Sequence, residues 1–268
     1  MYKLYYTICI LFILIACSPV NSIKKKYRLL SNYEQTLADS LISYALDHEA
    51  LYSLLDTLKP ISSIKFMQLP LFSSNTQQVD SAKQVLNTYQ KIINQLSHKN
   101  WEFVLNPFER TDSIYKNFEI YVVNKTKLKL IVERNQAFYH TLGIDVNSHP
   151  AQILAITEYE QKYNRWRSYG YLFGYPNYAV DFFVNAGKEQ DSTKQFVKRD
   201  FFHIPVNAAN AGYFTYAVPK GYAFTTEDST LYFKAKKTLG NYQKNKRKYL
   251  APNGIKAVKM WYKEGKLS

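Results

Sequence analysis

Cysteine is almost absent from this chain of 268 residues. Cys9 and Cys17 are its two, and no thiol follows residue 17. A folded body without thiols forms no disulfide, has no cysteine nucleophile and offers no thiolate ligands to zinc or an iron–sulfur cluster, so a hydrophobic core must stabilise it. Glycine is scarce too, at 9. That disfavours glycine-rich phosphate loops, and neither G-x-x-x-x-G-K-[ST] nor G-x-S-x-G occurs. Of the 5 histidines, His48, His98, His140, His149 and His203, no two stand four residues apart. Asp47-His48-Glu49 fails as H-E-x-x-H because position 52 is Tyr52, and consecutive helical residues point about 100° apart. The sequence gives no reason to expect a metal or a cofactor, and it places no catalytic residue.

Long apolar runs are also missing, with one short exception. After Lys3, residues Leu4 to Ala16 are an apolar stretch of thirteen, too short to span a bilayer comfortably, and it closes on Leu14-Ile15-Ala16-Cys17. This stretch resembles the lipobox of bacterial lipoproteins, in which a diacylglycerol thioether forms on the cysteine and the signal is cut just before it. The resemblance is confined to residues 1–17. It implies a signal peptide over residues 1–16, lipidation of Cys17 and attachment to the cell envelope, with the periplasmic side of the outer membrane the expected address. Acyl chains contribute about 0.8 kcal/mol per buried methylene, so two or three anchor a protein firmly. Pro19 stops any helix after the cysteine. Residues 17–30 are read as a tether and 31–268 as one globular domain.

What the chain does have is aromatics and positive charge. With Tyr 24, Phe 16 and Trp 3 it can bury a substantial core, and its net charge is +14. Residues 234–268 concentrate the charge, with eleven basic side chains against Glu264. Such a segment is either a solvated helix face or a contact for an anionic surface, with Lys244, Lys246, Arg247 and Lys248 as the expected contacts. Lipid headgroups or an anionic envelope polymer fit this address; nucleic acid is not expected as a partner.

Ser31-Asn32-Tyr33-Glu34 is a capping box that opens a helical pattern ending at Pro60, with a break expected near Asp47. Residues 64–69, 101–105, 118–123, 200–206 and 213–218 read as strands. Helices are expected over 77–96, 127–142 with a stop at Gly143, 150–169 from Pro150, 177–185, 226–249 and 255–262. Helices dominate and the strands are too separated for a βαβ repeat. The expected class is α+β, with helices packed on a small mixed or antiparallel sheet.

Three constellations compete for a role. Ser62 and Lys65, with Lys59 and Ser63 nearby, match S-x-x-K, but the companion S-D-N and K-T-G motifs are absent. The plainer reading puts Lys59 at a helix stop and Lys65 on the wet face of a strand. Residues 165–176 are the densest aromatic and basic stretch. Arg165 and Arg167 could clamp a carboxylate or phosphate, and Tyr169, Tyr171 and Tyr175 could stack on a sugar or a cation; the alternative is a packed turn between helices. Finally, six of ten aspartates precede Ser or Thr, at Ser40, Thr57, Ser81, Ser113, Ser192 and Ser229. These triplets resemble the three-residue O-glycosylation acceptor of envelope proteins from Bacteroidetes, which implies glycans at one or more of them, Ser81, Ser113, Ser192 and Ser229 above all. Helix capping is the competing explanation. Two functions are therefore expected: a lipid-anchored envelope protein that binds an anionic, glycan or protein partner, or a lipid-anchored hydrolase of peptidoglycan, peptide or glycan.

Overall fold

A computed structural model describes residues 25–252 and 254–265. The signal segment 1–16, Cys17 and the first part of the tether lie outside the described residues. Residues 25–30 are docked rather than tethered. The Lys26 amine donates to the Ser97 carbonyl at 3.1 Å, the Tyr27 hydroxyl donates to Asp39 at 2.8 Å, and Leu30 is buried.

Helix α1 (Asn32–Asp47) starts at the expected capping box. The Ser31 amide donates to Glu34 at 2.7 Å while the Glu34 amide donates back to the Ser31 hydroxyl at 3.3 Å. Its buried residues, Ala38, Leu41, Ile42 and Ala45, recur at helical spacing. A one-turn helix α2 (Leu51–Leu54) leads to strand β1 (Ile61–Leu69), helix α3 (Thr76–Leu96) and the hairpin β2 (Trp101–Thr111) and β3 (Lys116–Asn124). Then come α4 (Lys125–Arg134), a single turn α5 (Gln136–Tyr139), α6 (Pro150–Tyr159), α7 (Lys162–Leu172) and α8 (Asn177–Thr193). A second hairpin, β4 (Arg199–Ile204) and β5 (Phe214–Pro219), precedes the long helix α9 (Thr226–Lys246). The described chain closes with β6 (Leu250–Ala251), β7 (Gly254–Ile255) and α10 (Ala257–Glu264).

The fold is α+β, and its sheets are small and antiparallel. The main sheet has the order β1-β3-β2. β3 is covered on both faces. Phe118, Ile120 and Val122 join the larger core with α1, α3 and α10, while Tyr121 and Val123 join a second cluster with α4, α6 and α7. A strand buried on both faces needs apolar residues on both, which is why residues 118–123 read as a nearly unbroken apolar run. The partners are edges. β1 shifts register between Ser63 and Lys65, and Pro107 stands in β2 where its pairing with β3 becomes irregular.

Several helices end differently from the sequence reading: the pattern expected to reach Pro60 stops at Asp47, resumes for Leu51–Leu54 and ends there, and the helix expected over 226–249 ends at Lys246. The stretch expected as one helix over 150–169 breaks at Glu160, whose extended backbone separates α6 from α7. The helix expected over 127–142 breaks at Asn135, where the side-chain amide donates to the Ile131 carbonyl at 3.0 Å and competes with the helical ladder. α8 continues past residue 185 to Thr193 and ends on Lys194 in the left-handed conformation. Among the described residues no helix is long and apolar enough to cross a membrane.

Candidate functional site

A cleft on the described surface is built by α4, the start of α8, and α9. Helix α4 contributes Lys127, Ile131 and Arg134, spaced i, i+4 and i+7 and therefore aligned on one face. Helix α9 contributes Thr226, Glu227, Thr230, Leu231 and Lys234 by the same rule. The third wall is the turn from Gly174 to Tyr178, with Tyr171, and the floor is Thr57-Leu58. The cleft holds about 730 Å³.

Its electrostatics are one-sided. Lys127, Arg134 and Lys234 line it, and Glu227 is the carboxylate among the lining residues. Burial pushes the Lys127 amine below the ordinary lysine range, the Arg134 and Lys234 charges push it further, and Asp56 opposes them. Lys234 stands 3.8 Å from Asp56, a long and half-exposed pair. The α8 N-terminus also opens here. Pro176 is its N-cap and no side chain caps it, so the positive end of the helix dipole faces the cleft. An anion placed there would relieve the crowding of three cations and meet the end of a helix. The apolar lining from Leu58, Ile131, Pro176 and Leu231 suits a ligand that carries its charge on a carbon framework.

The turn is held in place by glycine. Gly174 has φ +77, and a Cβ there would stand 2.8 Å from the Leu58 carbonyl oxygen. Behind it, Asp228 ties the walls together. It is wholly buried and accepts hydrogen bonds from the hydroxyls of Tyr178 in α8 and Tyr216 in β5, and from the Thr225 amide at 2.7 Å. Burial works against its charge, but the Tyr178, Tyr216 and Thr225 hydrogen bonds outweigh it and hold the carboxyl below its usual value.

The structure divides the aromatic and basic stretch of residues 165–176. Tyr171 and Tyr175 line the cleft. Arg165 turns away to Glu109 at 2.5 Å and the Glu158 carbonyl at 2.9 Å. Arg167 pairs with Asp181 and donates to the Tyr171 hydroxyl at 2.9 Å, and Tyr169 donates to Glu158 at 2.7 Å. The two arginines therefore form no shared clamp, because both are occupied by the protein's own carboxylates. Gly170 of this stretch serves packing, since a Cβ there would meet Val180 at 2.8 Å.

The other candidates also separate. Asp47 binds Asn207, Tyr242 and Lys246, His48 stacks on Tyr44, and Glu49 pairs with Lys59. Lys59 is not a solvated helix stop. It is wholly buried, against Phe214, Phe173 and Tyr175. Ser62 is bonded to Ser53 at 2.9 Å, and Lys65 lies over Tyr89 instead of beside a serine nucleophile. Of the four C-terminal cations, Lys246 is held by Asp47 at 2.6 Å and Lys248 donates to Asn245 at 2.7 Å, while Lys244, Arg247 and Lys248 are exposed. Ser113 sits in the β2–β3 turn. Ser81, Ser192 and Ser229 are exposed on helices, and Thr57 is half-buried beyond α2 rather than inside a helix.

Lys127, Arg134 and Lys234 were not singled out as a site from the sequence. The signal was present in part, as the Lys127–Ile131–Arg134 stripe, but Lys234 is distant in the chain and only the fold brings it close. No protein-family model, curated protein or solved structure matches this chain.

Proposed function

We propose that this chain is a lipid-anchored protein of the bacterial cell envelope that binds an anionic ligand in the cleft between α4, α8 and α9. The observation that carries the reading is the convergence of Lys127, Arg134 and Lys234 on one apolar-walled cleft beside an uncapped helix N-terminus. The lipobox-like residues 14–17 supply the anchor at Cys17 and the address. The exposed Lys244, Arg247 and Lys248 turn the molecule toward an anionic lipid or polymer surface, and exposed Ser81, Ser113, Ser192 or Ser229 carries a glycan in the native host. The decisive experiment is calorimetric titration of the protein with glucuronate and with inorganic phosphate. Micromolar-to-millimolar binding that Arg134→Glu abolishes is expected, and absence of binding to either anion removes the reading. Mass spectrometry of the native protein tests the anchor and the glycans together, since an unmodified Cys17 or a bare polypeptide mass excludes the respective modification.

A hydrolase is the second reading. Asp56 and Glu264 line one cavity adjoining the cleft, as paired carboxylates do in glycosidases. Both are engaged by neighbours, Asp56 by the Thr57 amide at 2.6 Å and Glu264 by Asn245 and Tyr249 at 2.8 Å, which favours binding over turnover. Release of reducing ends from an oligosaccharide, lost in Glu264→Gln, would establish the enzyme instead.

A further inference from the structure

The cationic cleft does not end at Lys234. A second cavity of about 430 Å³ shares Thr57 and Lys234 with it and continues along the same helix. Helix α9 supplies one wall throughout. Thr226, Thr230 and Lys234 face the first compartment, and Lys234, Thr238, Asn241 and Asn245 face the second, all at spacings of three or four residues. From Thr226 to Asn245 an α-helix rises roughly 30 Å. The two cavities are therefore successive parts of a groove.

The compartments differ in charge. The first sets three cations against Glu227. The second sets Lys234 and Lys237 against Asp56 and Glu264, which balance. Of its remaining polar groups, Thr238 is bonded to Asp56 and Asn245 to Glu264 and Lys248, which leaves the Thr57 hydroxyl and the Asn241 amide for a ligand, over an apolar base of Leu55 and Met260. Amides and hydroxyls donate to and accept from sugar hydroxyls, carboxylates accept from them, and apolar side chains cover the C–H faces of the ring. With its charges balanced, this compartment offers a second anionic group no net attraction.

We infer that the groove binds a linear oligosaccharide that is acidic at one end: its carboxylate or phosphate enters the compartment of Lys127, Arg134 and Lys234, and uncharged sugars run along α9 past Asn241. This rests on the anion-binding reading above and adds the class of the ligand and its direction. A ligand charged along its whole length gains nothing from the balanced second compartment, and a neutral glycan forgoes the cationic end.

The test is calorimetry on the full-length chain in detergent. The ligands are glucuronate, a tetrasaccharide of one terminal glucuronate and three glucoses, its terminal 6-phosphate counterpart, the neutral tetrasaccharide and an oligoglucuronate of equal length. The singly acidic tetrasaccharides are expected to bind at least about tenfold more tightly than glucuronate. The comparison of carboxylate with phosphate then identifies the anionic group. Asn241→Ala and Lys237→Ala should erase that gain and leave glucuronate binding unchanged, whereas Arg134→Glu should weaken both. Equal affinity for glucuronate and the tetrasaccharides overturns the groove while leaving the anion site intact. Tighter binding of the oligoglucuronate, or of the neutral tetrasaccharide, overturns the ligand class. No binding of any acidic ligand removes the anion site and the groove with it.

Discussion

The Lys59 amine lies 2.6 Å from the Glu49 carboxylate, with the lysine side chain wholly buried and the ring of Phe214 centred 4.5 Å away. Burial drives this amine below the usual lysine range and Glu49 pulls it back. A buried charge left without its partner is strongly destabilising, on the order of 3–5 kcal/mol, whereas removing both charges often costs little. Glu49→Gln should therefore lower stability by about 3 kcal/mol, and Lys59→Met/Glu49→Gln by clearly less than the two single changes combined. Urea denaturation of the four proteins measures the coupling, and additive single effects would show that the two groups act independently.

Glycine substitutions should move stability in opposite directions at two sites. Gly174 combines a left-handed backbone with the Leu58 carbonyl at 2.8 Å from a built Cβ, so Gly174→Ala should destabilise by about 1–3 kcal/mol. Gly240 is exposed inside α9 with nothing within 4 Å of its Cβ position. Gly240→Ala should stabilise by up to about 1 kcal/mol. Thermal melts of the two variants check both signs.

Two groups shifted by burial set opposing pH dependences. Burial pushes the Glu119 carboxyl up from 4.5 to about 6, with the Ser63 hydroxyl opposing and the Glu49 charge adding. The folded state then holds the extra proton, so this contribution is full below about pH 4.5 and lost as pH rises through 6. His98 has the other sign. Burial lowers its pKa from 6.5 to about 4, so its contribution is full above pH 6.5 and lost as pH falls through 4. Wild-type stability should therefore vary little between pH 6 and 4.5, and Glu119→Gln should expose a steeper loss toward acid. A pH series of denaturant midpoints reads the slope; unchanged slope in the variant would refute the assignment.

At the C-terminus, charge reversal of Lys244, Arg247 and Lys248 should weaken binding to anionic vesicles at low salt. A basic residue near such a surface contributes about 1 kcal/mol, screened over roughly 8 Å at physiological salt. Lys246→Glu should chiefly reduce stability, because it places a carboxylate against Asp47. Vesicle co-sedimentation and melting temperatures distinguish the two effects, and equal membrane binding by all variants would leave the segment a solvated face.

The sequence made the elements with strong local signals legible: the Ser31–Glu34 box, the doubly buried 118–123 strand and the hairpin of β4 and β5. It left out breaks that depend on one residue, such as Asn135 and Glu160, since a periodic apolar pattern continues across them. The site was the least legible part. The arginines of residues 165–167 drew attention by density, yet Glu109 and Asp181 occupy them. The cations that stay open, Lys127 and Arg134, are ordinary surface residues of a short helix until α9 brings Lys234 beside them.

Asp228 gives the cleft a further property. By joining Tyr178, Tyr216 and Thr225 it sets the starts of α8 and α9 relative to one another without touching the opening itself. A receptor whose walls are fixed from behind loses little conformational freedom when it is filled, so less of the contact energy is spent on ordering. Such a scaffold resembles a lock already cut: selectivity for the proposed ligand would follow from shape, and adaptation to a different ligand would have to come from side chains at the rim rather than from movement of the helices.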